Sequence, residues 1–128
     1  MSKFIKCFLM LTVLVGAMCL TGCLKKNAAT INVKVVKMGI PQANVQVYMF
    51  KGDLTDAFLK NKVHAEKSIA TNENGVAEFE INSLLFGIDS DQATFIFETF
   101  DDKENVTGKV PASVKKGGST DATLNILL

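Results

Sequence analysis

Few side chains in this chain of 128 residues could perform chemistry. The sequence holds one histidine, three cysteines, 13 acidic residues and 14 lysines, with no arginine. His64 therefore has no second histidine with which to form a metal site, and the sequence places no nucleophile beside it. Because bidentate recognition of phosphate or carboxylate depends on the guanidinium fork, a site of that kind is not expected. We predict that the chain is not an enzyme and uses no cofactor.

Two acidic clusters could in principle hold a cation. Asp89-Ser90-Asp91 and the run 101–105 offer the oxygen ligands that Ca²⁺ prefers. Neither has the spacing of an EF-hand loop, and Lys103 lies inside the second cluster. We favour solvated turns at both places and predict no metal site.

The N-terminus has the layout of a secretory signal. Lys3 and Lys6 supply its positive charge, and an uncharged, mostly apolar run extends from Phe8 to Leu20. That run is shorter than the about 20 residues that a membrane-spanning helix needs. A removable signal is therefore the better interpretation.

The end of this run carries a more specific motif. Leu20-Thr21-Gly22-Cys23 resembles at every position the lipobox, the cleavage motif of bacterial lipoproteins. The resemblance implies that residues 1–22 are removed and that Cys23 carries a thioether-linked diacylglycerol and an acylated amino terminus, with palmitate among its acyl chains. Two or three acyl chains, each contributing about 0.8 kcal/mol per buried CH₂, would hold the protein at a membrane. Leu24, where inner-membrane lipoproteins often carry Asp, favours the outer membrane, facing the periplasm.

Residues 23–29 form a short tether after the motif. Lys25 and Lys26 would meet anionic headgroups or simply be solvated, and both interpretations stay open. Cys7 and Cys19 fall in the removed segment, so the mature chain should have no disulfide. Its charge is close to neutral and scattered, which argues against nucleic-acid binding.

Residues 30–128 have the pattern of one all-β domain. Apolar residues alternate with polar ones over short runs separated by turn residues, which predicts seven strands in a β-sandwich. Residues 39–42 and 72–75 are expected to be turns, the second a hairpin because Asn74-Gly75 accepts positive φ. Residues 63–71 are expected to be extended. The segment 53–62 is the one helical candidate, capped by Asp53 and packed across an edge or end of a sheet.

A second resemblance covers part of this domain. Its motif comprises Gly39, Pro41, Ala43, Val45, Val47, Tyr48 and Phe50, followed by Ala70 to Ala77 and Phe79. These residues are similar to those of carboxypeptidase-regulatory-like domains, which are transthyretin-like (prealbumin-like) sandwiches with an Ig-like fold. The resemblance implies a non-catalytic accessory role. Transthyretin-like hydrolases of urate derivatives need histidine, arginine and a C-terminal Tyr-Arg-Gly-Ser motif, which this sequence lacks, so we do not expect that activity.

One apolar stretch could contact a partner. Leu84, Leu85, Phe86 and Ile88 lie in the longest expected loop, residues 82–92. Exposed, they would form a binding patch; folded back, they would cap one end of the sandwich, which we favour. Together with residues 53–62 they remain the best candidate surface.

Two functions fit these features. The first is a membrane-anchored envelope lipoprotein whose sandwich binds a protein or glycan partner or serves as a structural module. The alternative is a lipid-tethered inhibitor of an envelope hydrolase such as a protease or lysozyme.

Overall fold

The computed structural model describes residues 28–87 and 89–127, and these contain eight strands in two facing sheets. Cys23 and the lipobox residues Leu20, Thr21 and Gly22 lie outside the described residues. The strands are β1 (Ala29–Lys37), β2 (Ile40–Pro41), β3 (Gln46–Lys51), β4 (Lys67–Ala70), β5 (Val76–Ile81), β6 (Gln92–Phe100), β7 (Val106–Lys115) and β8 (Ser119–Asn125). The helical elements are α1 (Asp56–Leu59) and two 3₁₀ turns, Lys62–His64 and Ser83–Leu85. Within these residues, no helix is long and apolar enough to cross a membrane.

Sheet 1 is built around β1. The strands β2 and β5 pair with it antiparallel, and β8 pairs with it in parallel. Sheet 2 has the order β4-β3-β6-β7 and is antiparallel throughout. The prediction of an all-β sandwich is confirmed, whereas the parallel strand was not foreseen.

The core lies between the sheets, where alternate residues of each strand point inward. Ile31 and Val33 of β1, Phe79 of the neighbouring β5, and two phenylalanine rings of β6 belong to one cluster with almost no exposure. The larger side chains of this cluster are Ile31, Met49, Phe79, Ile81, Phe95, Phe97 and Leu124. Burying each such side chain contributes about 1.5–3 kcal/mol, so the sandwich is held by packing together with its ladder hydrogen bonds.

The first turn differs from the prediction. The chain reverses at Met38 and Gly39, with φ angles of 53° and 80°, instead of at residues 39–42. Ile40 and Pro41 then pair back onto β1 and form the short strand β2, which accounts for eight strands where seven were expected. Two successive positive φ angles are typical of a tight hairpin with a two-residue loop, although methionine rarely adopts a positive φ.

The turn at residues 72–75 forms as predicted, but the two strands that it connects do not pair with each other. The Asn72 side chain accepts hydrogen bonds from the backbone of Asn74 and Val76, and Gly75 has φ of 78°. The turn carries the chain from β4 in sheet 2 to β5 in sheet 1, so it is a crossover and the hairpin prediction is wrong. A Cβ on Gly75 would come within 2.9 Å of the Pro41 Cβ, so the position needs glycine for space as well as for φ.

The helical candidate forms inside the predicted segment 53–62, at Asp56–Leu59, but its cap and its packing differ from the prediction. It forms one turn whose N-cap is Thr55, not Asp53, and it buries Leu59. The 3₁₀ turn at Lys62–His64 interrupts the stretch 63–71 that was expected to be extended. The segment packs on the outer face of sheet 2 instead of an edge or end, as the contacts below show.

Candidate functional site

Strand register defines two ends of the sandwich. We call the end at which β1 begins the proximal end, and the end at which β1 finishes the distal end. Ala29 pairs with Ile81, and Thr30 pairs with Ser119, so the loop after β5 and the turn before β8 are proximal. Met38 is at the distal tip. The described chain therefore emerges at the proximal end, on the side of the predicted tether.

A groove opens at this proximal end. It has a volume of about 540 Å³ and lies between the loop after β3 and the loop after β5. Its lining residues are Lys51, Gly52, Asp53, Leu84, Leu85, Phe86, Gly87, Ser90, Gln92, Ala93, Thr94 and Phe95. The groove thus joins the predicted contact loop to the start of the predicted helical segment, which lie far apart in sequence.

The contact loop divides into exposed and buried side chains. Leu84 is 86% exposed, whereas Phe86 is only 6% exposed and belongs to the main core. Leu85 is half-buried and packs against that core, and Ile88 lies outside the described residues. The Lys116 ammonium, from the turn between β7 and β8, lies 5.9 Å from the centroid of the Phe86 ring. Both interpretations of the loop therefore hold in part, since Phe86 caps the sandwich while Leu84 faces solvent.

Polar groups form the rim of the groove. Lys51 and Asp53 bring charges of both signs to one wall, and the Ser90 hydroxyl donates to the Gln92 carbonyl at 2.6 Å on the other. The Gly52 amide donates to the Thr94 carbonyl at 3.0 Å. A Cβ on Gly52 would stand 2.7 Å from that same carbonyl oxygen, so the close approach that forms the groove floor needs glycine.

Comparison with known proteins does not assign this chain to a family. No family model matches it, and no curated protein sequence does either. Three solved structures with some similarity are a DUF3823 family protein from Parabacteroides merdae, the shaft pilin SpaA from Lactobacillus rhamnosus GG, and an (S)-allantoin synthase. The two sheets themselves establish the sandwich.

The similarity to each of these structures is low. The identities are 14%, 9% and 11%, with TM-scores of 0.48, 0.43 and 0.42. They cover 78%, 80% and 81% of this chain, but 46%, 51% and 42% of the neighbours. The chain therefore spans about half the length of these structures, and the carboxypeptidase-regulatory-like resemblance stays a prediction.

A second feature is the segment 52–66, which we call the cover. It lies on the outer face of sheet 2, where Tyr48, Phe50 and Phe100 form what we call the aromatic face. Phe50 is 0% exposed although it is not part of the main core, and the Tyr48 and Phe100 rings meet edge to face at 5.3 Å. The Lys62 ammonium of the cover stands 5.4 Å from both of these ring centroids. β3 is therefore buried on both faces, since Val47 and Met49 lie in the core and Phe50 lies under the cover.

Glu98 lies on the same face, and sequence reasoning did not single it out. Its side chain is 1% exposed, and its Oε2 atom has no hydrogen-bond partner among the described residues. Burial raises the pKa of Glu98 to about 7, Lys109 opposes the rise, and Asp56 adds to it. A charged residue amid Phe95-Ile96-Phe97 and Phe100 was the signal that could have found it.

The remaining candidate residues are placed apart from one another. His64 is exposed, and its ring meets Phe58 at 4.6 Å between centroids. Asp101 holds its own turn: backbone donation from Asn105, followed by that from Lys103, lowers the pKa of its carboxyl. In the described part of the chain, no group of three or more His, Cys, Asp or Glu residues could hold a metal ion.

Proposed function

We propose that this chain is a lipid-anchored protein of the bacterial envelope, whose β-sandwich binds a partner protein through the proximal groove without catalysing a reaction. The observation that carries the proposal is the position of Leu84. This large apolar side chain is almost fully exposed at the mouth of the groove, at the end of the sandwich where β1 begins. An apolar anchor within a polar rim is the usual composition of a protein–protein interface.

The predicted anchor limits where a partner can be. The chain from Cys23 to Ala29 can extend about 20 Å at most, at 3.3–3.6 Å per residue. A lipid on Cys23 would therefore hold the proximal groove next to the bilayer. The partner would be a protein that is itself in the membrane or lies along it, and Leu24 favours the periplasmic face of the outer membrane.

The lining of the groove favours a protein over a glycan. Its two aromatic residues, Phe86 and Phe95, are buried in the core, so neither presents a ring face on which a sugar could stack. The exposed anchor is aliphatic, and Lys51 and Asp53 offer opposite charges to the polar groups of a peptide. A groove of about 540 Å³ is large enough for a few side chains.

Site-specific crosslinking in native membranes tests the groove. A photoreactive residue placed at Leu84 should form a discrete protein adduct, and the same residue at Met38 should not. Met38 is a matched control because it is apolar, 93% exposed and at the distal end. In a chain without a photoreactive residue, Leu84→Asp should abolish capture of the partner protein, while Met38→Asp should preserve that capture. Equal adducts at both positions, or capture of the partner that survives Leu84→Asp, would contradict the proposal that the groove binds the partner.

Labelling with palmitate tests the anchor separately. The native chain should incorporate labelled palmitate and sediment with outer membranes. Cys23→Ala should remove the label and leave the precursor unprocessed or the domain released. A Cys23→Ala chain that is still labelled and membrane-bound would disprove the lipobox prediction while leaving the groove hypothesis intact.

A further inference from the structure

The cover is joined to the sheet at its two ends. The Gly52 amide donates to the Thr94 carbonyl, and the Glu66 amide donates to the Met49 carbonyl at 2.7 Å. Lys51 and Glu66, which flank the cover, approach each other to 3.8 Å. The Leu54 amide also donates to the Lys51 carbonyl at 3.4 Å, and the remaining backbone hydrogen bonds of the cover, counted over the residues that the structure describes, are internal to it. Such an Ω-like loop can move without breaking a strand ladder.

Charged and titratable groups meet beneath the cover around Glu98. In the strand register, Tyr48 of β3 and Lys109 of β7 lie opposite Glu98 on either side. Asp56 of α1 faces it from above, and Lys62 of the following 3₁₀ turn lies over the neighbouring rings. Lys109 is 3.9 Å from Asp56, so the cation nearest to Glu98 is shared with a second carboxylate on the cover.

We propose that the cover is a proton-controlled lid, which lies closed over the aromatic face while Glu98 is protonated and opens from that face when Glu98 ionises. The buried carboxyl has one oxygen without a partner, and ionisation would leave a charge that water can solvate only if the cover moves away. Asp56 lies on the cover itself, so its charge would repel an ionised Glu98 and favour opening.

The direction of the pH dependence follows from the two states of Glu98. In the closed state the pKa of Glu98 is about 7, and in an open, hydrated state it would return towards its ordinary value of 4.5. Below pH 4.5 the group is protonated in both states, so the ratio of closed to open molecules is constant. Between these values the closed form alone holds the proton, and the ratio falls by up to roughly 300-fold before levelling off above pH 7.

Amide hydrogen exchange of the full chain measures this ratio directly. Protection factors for the Phe58 and Leu59 amides, which donate within α1, should fall steeply between pH 5 and pH 8. Those for Ala77 and Phe79 in β5, which exchange through global unfolding, should stay higher than those of α1 at every pH. The chain has one tyrosine and no tryptophan, so the near-ultraviolet circular dichroism of Tyr48 provides an independent signal from the aromatic face.

Variants separate Glu98 from the other titrating groups. Glu98→Gln should keep the protection of Leu59 independent of pH, and Glu98→Met serves the same purpose if the glutamine variant does not fold. Glu78→Gln, on the exposed face of sheet 1, should titrate like the native chain. Asp56→Asn should move the midpoint to lower pH, because it removes the repulsion that helps to raise the pKa of Glu98.

Two results would overturn the proposal. The first is a pH-dependent loss of protection at Leu59 that persists in a folded Glu98→Gln or Glu98→Met chain. The second is loss of the pH dependence in His64→Gln, since His64 also lies in the cover. That outcome would assign the switch to the histidine.

Discussion

The outer faces of the two sheets differ sharply although the sheets enclose the same core. On sheet 1 most outward residues are polar, such as Glu78 and Glu80, and Asn32 donates to the Asp121 carboxylate at 3.1 Å. On sheet 2 the outward residues include Phe50, Phe100 and Glu98, and the cover lies on them. The two sheets therefore form two layers, and the cover adds a third, partial layer on the outer face of sheet 2.

The strand sequences explain this difference. β1 alternates from Ala29 to Val35 and β5 from Ala77 to Ile81, with polar side chains between the buried apolar ones, so over most of its length sheet 1 needs burial on one face only. β3 reads Val47-Tyr48-Met49-Phe50, which is apolar at successive positions and must be covered on both faces. The cover follows β3 directly in the chain. A layer of fifteen or so residues thus protects a face that would otherwise be an exposed aromatic patch.

The largest expected effect comes from Phe50→Ala. Removing a fully buried ring should lower the free energy of unfolding by about 3–5 kcal/mol if the aromatic face is packed as tightly as the core. Urea denaturation of the purified protein measures this change. A loss below about 1 kcal/mol would mean that the cover does not seal the face in solution, and the contrast between the two faces would disappear.

The pH dependence of stability comes next in size. Because the pKa of Glu98 is about 7 in the folded chain and 4.5 when unfolded, the folded state binds the proton more tightly. The contribution of Glu98 to stability should therefore be constant below pH 4.5, fall by up to about 3 kcal/mol between pH 4.5 and 7, and be constant again above pH 7. Denaturation at pH 5 and pH 8 measures the fall.

Glu98→Met should remove that difference between pH 5 and pH 8 and make the protein more stable at pH 8. Glu78→Gln on the open face should leave the fall unchanged. If both variants keep the native pH dependence, a group other than Glu98 is responsible, and the buried carboxyl does not distinguish the two faces.

Leu59→Ala tests the cover from its own side. Leu59 is buried and lies outside the main core, so truncating it should cost about 2 kcal/mol, near the lower limit for a buried leucine. We expect a small loss of stability because the single turn of α1 can shift to fill the space, so that no sealed cavity remains. Lys60→Ala, exposed one residue later, is the matched control and should be neutral. Equal effects would show that the cover does not pack through Leu59.

Local alternation predicted the strands because burial on one face imposes a period of two. Ile31, Val33 and Val35 in β1, and Ala77 and Phe79 in β5, follow this alternation and are all buried. The successive apolar residues of β3 indicate in the same way that both of its faces are covered. The alternation does not identify what covers them, because the buried residue of α1, Leu59, lies in a segment without that pattern.

Pairing between distant strands could not be predicted in this way. The turn at residues 72–75 has the local chemistry of a hairpin, but local chemistry fixes only the reversal and not the partner of the next strand. β8 likewise has the pattern of any half-buried strand, and nothing in its residues indicates a parallel partner. The groove depends on the crossover to sheet 1, because one of its walls is the loop after β5. The sequence could therefore name both walls as candidates but could not show that they adjoin.

The smallest expected effect belongs to the open face of sheet 1. Asn32→Ala removes an exposed hydrogen bond to Asp121 and should change the free energy of unfolding by less than about 0.5 kcal/mol, because water replaces the lost partner. Asp121→Ala should behave alike, and the double variant should show little coupling. A loss above 1 kcal/mol would mean that this face is covered in the native protein. Sheet 1 would then need a covering layer of its own, which only another molecule or the residues outside the described range could supply.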